Sequence, residues 1–528
     1  MPHFLGLDSS TQSLSAMVID TDTGQVVAAH NVVFGERLPA YGAPKGFVPN
    51  RDPQVVESDP LMWVEALELV LGDLRAAGVD LGRVRGVSGA GQQHGSVYLA
   101  RSLDTVGGDW SEGAPLVAQI APLLSRKLSP IWMDSSTSVE CAEIAAAVGG
   151  DARVVAVTGS RAIERFTGPQ IRKFAKQQPA AWERTAEVHL VSSFMASVLA
   201  ARRVPIDLGD GAGMDLLDLA AGAWSPALLD ATAPGLAARL APPVASATRV
   251  GEIAPYFVKK YGFAPSTPVV AFTGDNPSSL VGMGAVAPGH LVISLGTSDT
   301  VFAAMAAPRV DPNGYGHVFG NPAGGFMALV CFANGSLARE EVARRASLDW
   351  DAFAGAILDE TRPGNGGNLL LPFFFPEITP RLPAPRPRWL GTPAFVAGTD
   401  RPAMARAVVE AQALNLRMHA AFIGEAVDTV LVTGGASRNP AILRVLADVF
   451  QARILPLTVT NSSALGAALR VAQAVEGAPW PSLFARFCAP DAVRAVQPDA
   501  STRATYEELG ARFAAEVKEM LASGFVKG

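Results

Sequence analysis

Cysteine is scarce in this chain: Cys141, Cys331 and Cys488 lie far apart among 528 residues, in no metal-ligand spacing. That excludes a disulfide scaffold and an iron–sulfur or zinc site, and it suits a reducing, cytoplasmic compartment. Charge is sparse too, at 17% of residues with a formal net charge of -6. Without a basic footprint the chain is not built to bind nucleic acid. Any phosphate it holds must be held by backbone amides and a metal, not by a broadly positive surface. No run of about 18 apolar residues occurs, so no membrane span is expected. No basic segment followed by an apolar stretch precedes Phe4, so no signal peptide is expected either.

What is present is apolar material and alternation. Hydrophobic residues make up 49% of the chain, enough for large cores, and 528 residues exceed one core of ordinary size. Strand-like and helix-like segments alternate, which predicts an α/β architecture. Phe4–Leu7, Ser13–Ile19 and Val26–Phe34 read as a three-stranded meander turning at Asp8–Thr11 and Asp22–Gly24. A helix follows, capped by Ser58 or Asp59, with Pro60 in its first turn and Trp63, Leu67, Val70 and Leu74 on one face. Gly78 ends it, and a glycine-rich loop is expected over Gly89–Gly95. His290–Leu295, the turn Gly296–Asp299 and Thr300–Met305 repeat the opening pattern, either as a chance hairpin or as a second copy of the first domain. The expected division is 1–262 and 263–528. The proline-dense stretch 371–393 reads as an irregular surface connection.

Four loops of small or polar residues each follow an apolar strand, where the backbone can approach a phosphate and point its amides inward. In Asp8-Ser9-Ser10-Thr11-Gln12 the carboxylate suits Mg²⁺, or else bonds its own backbone as a turn former. Ser294–Ser298 could face terminal phosphates, but lacks the lysine of a Walker A loop. Thr433–Pro440 joins a strand to a helix through Gly434-Gly435, which suits a nucleotide or simply a tight turn. Phe272–Ser279 ends a strand in Asp275, which is either a general base for a substrate hydroxyl or a helix cap near Ser278. His94, beside Gln92 and Gln93, is either structural or part of a site for a polyhydroxylated ligand. No Ser/His/Asp triad is visible.

The order of these stretches carries a resemblance. Ser88–Gly95, Ile131–Thr137, Glu164–Gly168, Phe272–Pro277 and Leu295–Thr300 resemble the FGGY carbohydrate kinase family, which includes glycerol, gluconate, ribulose and xylulose kinases. Within it the chain is similar to the animal-type xylulose kinases, from about Phe4 to about Val475. The resemblance implies two actin-like (ribonuclease H-like) ATPase domains with a cleft between them, and ATP-dependent phosphorylation of D-xylulose. It makes Asp275 the catalytic base, Asn276 a sugar contact beside it, and Gln93 with His94 the substrate-binding pair. Asp134 and Arg165 fall at further sugar contacts. Asp8 matches the metal-associated aspartate for Mg²⁺, with Thr11 and Gln12 on the first phosphate loop and Gly296 and Thr297 on the second. Gly435, Ala436 and Asn439 match the adenosine site, with Trp350 flanking the base.

The chain departs from the family in places. Gln93 stands where bacterial xylulose kinases have methionine, and Ser135-Ser136-Thr137 where many members carry an arginine. Pro376-Glu377-Ile378-Thr379-Pro380 replaces Gly-Glu-Arg-Thr-Pro, and Ile171–Phe174 replaces Lys-x-x-Trp. A kinase for another ketose or polyol, and an actin-like nucleotide switch without an acceptor, remain the alternatives. The expected partner is a small-molecule sugar, with no nucleic acid and no membrane, in a monomer or homodimer.

Overall fold

The structure, a computed structural model, describes residues 2–524. Contacts divide them into two compact units. The first takes residues up to Val286 together with Val318–Met327 and Val459–Ala489; the second takes Ala287–His317, Ala328–Thr458 and the residues from Pro490 on.

In the first unit β1 (His3–Ser9), β2 (Ser13–Asp20) and β3 (Gln25–Val33) form the expected meander, each antiparallel to the next. Every residue of β1 is buried, so both of its faces are covered. Helix α1 (Pro60–Ala76) starts where the sequence says: Asp59 accepts the amide of Leu61 at 2.9 Å, and Trp63, Leu67, Val70 and Leu74 are buried. β4 (Val84–Gly91) lies parallel to β1. It runs on through Gly89-Ala90-Gly91, where a loop was expected. Those glycines serve packing, not turning. A Cβ on Gly89 would meet the Phe272 ring at 2.1 Å, and one on Gly91 the backbone of Ser192 at 2.6 Å.

β5 (Pro268–Val270) and the short β6 (Thr273–Gly274) also run parallel to β4, and α2 (Asp275–Gly282) follows directly. Within a seven-stranded sheet the neighbours are β5-β4-β1-β2-β3. Because β5 and β6 bond to β4, residues 263–286 pack into the first unit, beyond the division expected at 262. Asp275 goes with them.

The second unit repeats this order. β7 (His290–Leu295) pairs antiparallel with β8 (Asp299–Met305), and β9 (Phe326–Phe332) follows β8 in the sheet. After α3 (Ser336–Ala346), β10 (Thr429–Thr433) lies parallel to β7. Helix α4 (Pro440–Phe450) then leads to β11 (Arg453–Pro456), parallel to β10. The neighbours β11-β10-β7-β8-β9 match β5-β4-β1-β2-β3 place for place, as a second copy of the opening requires. The stretch expected to be irregular is bracketed by a short antiparallel ladder, Leu369–Leu371 with Arg388–Leu390. Inside it the Glu377 carboxylate accepts the amides of Ala333 at 2.6 Å and Asn334 at 3.2 Å.

The chain returns to the first unit in α5 (Ser462–Glu476). A Cβ on Gly282 would fall 1.9 Å from the Ser462 carbonyl oxygen, and one on Gly466 would fall 1.8 Å from that of Ser278. α2 and α5 therefore cross backbone to backbone. On β1, Gly6 opens the same kind of approach, 2.1 Å from the Ala464 oxygen by that measure. No described helix is long and apolar enough to cross a membrane.

Candidate active site

The carboxyl ends of three parallel strands stop at one level. Asp8 and Thr273 both lie opposite Ala90, and Ser9 and Gly274 both lie opposite Gly91. Chain ends of this kind are where open parallel sheets bind ligands. Asp8, the loop Gln92–Gly95 and Asp275 all leave the sheet at this edge.

Asp275 opens α2 without capping it toward Ser278, so the cap alternative falls away. Its Oδ1 accepts the Asn276 amide at 2.9 Å and Asn276 Nδ2 at 3.1 Å. Burial pushes its carboxyl up to about 6. Asp8 is buried, and its Oδ1 has no hydrogen-bond partner. Burial first, and the Asp275 carboxylate second, push it up to about 7. A buried carboxylate oxygen without a partner, beside a second carboxylate, is a suitable donor for a divalent cation that keeps most of its waters and phosphate ligands. No cluster of three or more His, Cys, Asp or Glu is present among the described residues.

His94 is buried and has a left-handed backbone, φ 71°. Its ring stacks on Phe166, with centroids 4.2 Å apart, and its Nδ1 lies 2.7 Å from the Gly213 carbonyl oxygen. Thr167 Oγ1 donates to its backbone carbonyl at 2.9 Å. Burial, then the charge of Arg165, drives the imidazole pKa down to about 3. Arg165 is therefore close enough to act on His94. Gln93 is buried, and its Oε1 accepts Asn276 Nδ2 at 2.8 Å. Five of the expected residues, Asp275, Asn276, Gln93, His94 and Arg165, thus gather at one strand edge.

Asp134 is placed differently. Its Oδ2 accepts the Val56 amide at 3.0 Å; its Oδ1 accepts the Ser136 amide at 2.9 Å and Gln170 Nε2 at 2.7 Å. These bonds fasten three segments together and engage both oxygens. Thr11 Oγ1 accepts Nε1 of the exposed Trp132 at 2.8 Å, and Gln12 is exposed.

In the second unit, Trp350, Gly435, Ala436 and Asn439 line one cavity of about 500 Å³, with Ser336, Arg339, Arg438 and Ile442. That volume suits a nucleoside. Asn439 caps α4 through Oδ1, which accepts the amides of Ala441 at 2.9 Å and Ile442 at 3.3 Å; the cap leaves Nδ2 uncommitted. Gly296 and Thr297 do not line this cavity but adjoin it: the Ser336 amide donates to the Gly296 oxygen at 2.9 Å. The turn is held by Asp299, whose carboxylate takes both Nη atoms of Arg339 at 2.9 and 3.1 Å. Gly434, at φ 89°, lies so close to β7 that a Cβ would fall 2.4 Å from the Leu295 oxygen.

A buried network behind the first site was not foreseen. Asp207 accepts the hydroxyls of Thr273 and Ser246, and the amides of Gly209 at 2.8 Å and Asp210 at 3.1 Å. Arg470, from α5, donates to the oxygens of Gly89 at 2.6 Å and Ala271 at 2.9 Å. The stretch Ile206–Gly213, a short strand running into a helical turn and rich in glycine and aspartate, was the visible signal for this network.

The chain matches the N-terminal domain of the FGGY family of carbohydrate kinases over residues 122–282 and its C-terminal domain over 291–475. It is 42% identical to a mouse xylulose kinase over 499 residues, covering 91% of this chain and 90% of that protein. With an Arabidopsis thaliana xylulose kinase 2 it shares 41% identity over 89% of the chain and 86% of the relative. The crystal structure of a Rhodospirillum rubrum xylulose kinase superposes with a TM-score of 0.82, over 99% of this chain and 100% of that one, at 22% identity.

Proposed function

Because the chain belongs to the FGGY family of carbohydrate kinases, we propose that it transfers the terminal phosphoryl group of ATP to the C5 hydroxyl of D-xylulose, giving D-xylulose 5-phosphate and ADP. The observation that carries this reading is the gathering of Asp275, Asn276, Gln93 and His94 at one strand edge. The xylulose kinases at about 40% identity support the choice of sugar.

Asp275 acts as general base. It takes the proton from the C5 hydroxyl as the oxygen bonds to the γ-phosphorus and the bond to the β-phosphate oxygen breaks. Burial raises its basicity toward neutral pH without leaving it protonated there. His94, held neutral, offers Nε2 as acceptor to a sugar hydroxyl, while Arg165 and Gln93 supply donors; both Nδ2 protons of Asn276 go to Gln93 and Asp275, so its Oδ1 faces the sugar. Asp134, whose Oδ2 accepts the Val56 amide and keeps a second lone pair, is assigned a further sugar contact. Thr11 and Gln12 in the first unit, and Gly296 and Thr297 in the second, are the phosphate contacts we assign. Gly435, Ala436, Asn439 and Trp350 take the adenosine. Asp8 would hold Mg²⁺, which when bound neutralises charge on the phosphates. Three cysteines outside any disulfide suit action in the cytoplasm.

The test is an ADP-release assay with MgATP over D-xylulose, D-ribulose, L-ribulose, L-xylulose, glycerol and gluconate. A kcat/KM for D-xylulose at least tenfold above the rest is expected, about 1.4 kcal/mol of transition-state discrimination. A higher value for another sugar overturns the choice of substrate, and inactivity on all six overturns the kinase reading.

A further inference from the structure

Asp210 lies in the helical turn Leu208–Gly211, outside the five stretches that carry the resemblance in the sequence. It is buried. Its Oδ2 accepts the hydroxyl of Ser192, and its Oδ1 has no hydrogen-bond partner. Gln93 is its complement: Oε1 is bonded to Asn276, while the buried Nε2 has no partner. The unpaired acceptor and the side chain that carries the unpaired donor flank one glycine. A Cβ on Gly274 would fall 2.4 Å from Gln93 Cγ, 2.8 Å from its Cδ and 2.9 Å from Asp210 Oδ1. From the other side Gly213 approaches the amide, its Cβ position lying 3.5 Å from Nε2.

We infer that Asp210 is a positioning residue for sugar recognition: its unpaired Oδ1 is the acceptor that draws Gln93 Nε2 to its side, and so keeps Oε1 toward Asn276. This rests on the reading of Gln93 and Asn276 as sugar contacts. An amide is nearly symmetric in shape, so packing alone does not choose between its two orientations; its hydrogen bonds do. With Oδ1 removed, the amide of Gln93 can turn over and set Nε2 against Asn276 Nδ2, donor to donor. Asn276 also donates to Asp275 at 3.1 Å, so the misorientation reaches the neighbour of the base. The chemistry of Asp210 is consistent with this task. Burial, with the Asp207 and Asp275 carboxylates nearby, holds its carboxyl well above the usual range. The Ser192 hydroxyl can accept a proton from Oδ2 as readily as it donates one, which leaves Oδ1 an acceptor in either state.

The experiment compares Asp210→Ala, Asp210→Asn and Gln93→Ala with the double variant Gln93→Ala/Asp210→Ala, on the sugar the wild type prefers. Asp210→Ala is expected to raise the sugar KM about tenfold, the order of one lost hydrogen bond, with the ATP KM within about twofold. Asp210→Asn keeps an acceptor toward Gln93 and a donor toward Ser192, and is expected to restore the sugar KM to within about threefold of wild type. The double variant should be no worse than Gln93→Ala alone, because Asp210 acts through that side chain. Should Asp210→Ala not fold, Asp210→Val gives the same comparison with the volume retained. Wild-type kinetics in Asp210→Ala, additive losses in the double variant, or ATP and sugar KM rising together would each overturn the inference. Preference of the wild type for another ketose would instead sink the choice of D-xylulose, and leaves these comparisons to be read on that ketose.

Discussion

His94 donates its Nδ1 proton to the carbonyl oxygen of Gly213, 2.7 Å away and 119 residues further along the chain. A carbonyl oxygen can only accept, so the contact fixes the tautomer and leaves Nε2 as the acceptor presented by the ring. With its pKa driven down to about 3, the ring does not change charge in any ordinary assay.

The pH dependence follows from that. The acid limb of kcat/KM carries Asp275, whose carboxyl is raised to about 6, and Asp8, raised to about 7. Activity is expected to rise with pH through about 6 to 7 and then level, because the base works only when ionised and a cation ligand only when deprotonated. His94→Gln should raise the sugar KM and leave that limb in place. A limb that moves with the His94 substitution would assign it to the histidine instead.

Asp275→Ala tests the base directly. Loss of a general base costs roughly 10²–10⁴-fold in kcat, with ATP affinity unchanged because the adenosine cavity is built elsewhere in the chain. Steady-state kinetics with nucleotide titration read both, and a variant keeping more than about a tenth of wild-type kcat removes Asp275 from the role.

The same aspartate predicts a stability effect of the opposite sign. A carboxyl whose pKa is raised on folding stabilises the fold at low pH, and that contribution is lost as pH rises through the folded value, here about 6. Asp275→Asn should therefore melt increasingly above wild type between about pH 4 and pH 7 in ligand-free thermal scans. A gap that stays constant or narrows over that range counts against the raised pKa.

Two glycine substitutions separate the sugar from the nucleotide. Gly274→Ala puts a methyl group against Gln93 and Asp210, and is expected to raise the sugar KM severalfold. Gly435→Ala meets no protein atom within 4 Å, so the melting temperature should hold while the ATP KM rises. An ATP KM unmoved by Gly435→Ala would take that glycine out of the adenosine site.

Arg339 is the structural counterpart in the second unit. It is 2% exposed, paired with Asp299 through both Nη atoms and bonded to Gln412 at 2.9 Å. Arg339→Met leaves the Asp299 charge buried and unpaired, at a cost of about 3–5 kcal/mol. Denaturant unfolding measures it, and replacing both partners by apolar residues should recover much of the loss.

Elements whose signals are local were legible in the sequence. The cap and apolar face of α1, the meander and the turn into α4 each rest on a few neighbouring residues, and they appear where expected. The glycines of β4 misled because their reason is distant: Gly89 is small for Phe272 and Gly91 for Ser192, neither of which is near in sequence. Residues 263–286 join the first unit for a similar reason, since the hydrogen bonds of β5 and β6 go to β4, far back in the chain. For Asp207 and Asp210 the glycine and aspartate content of their stretch was the one local mark, Arg470 had none, and the folded chain is what brings them behind Thr273 and Gln93. Asp134 was legible as a special aspartate, yet its bonds to Val56, Ser136 and Gln170 lie in contacts that no spacing reveals.

The helix that begins with Asp275 crosses α5 with glycine against backbone, and α5 is part of Val459–Ala489. On the ribosome, the segments carrying Asp8, His94 and Asp275 have all emerged well before that segment is made. A nascent chain halted anywhere before about Val459 therefore leaves three close approaches unformed: Gly6 to Ala464, Gly282 to Ser462, and Gly466 to Ser278. One partner of each does not yet exist.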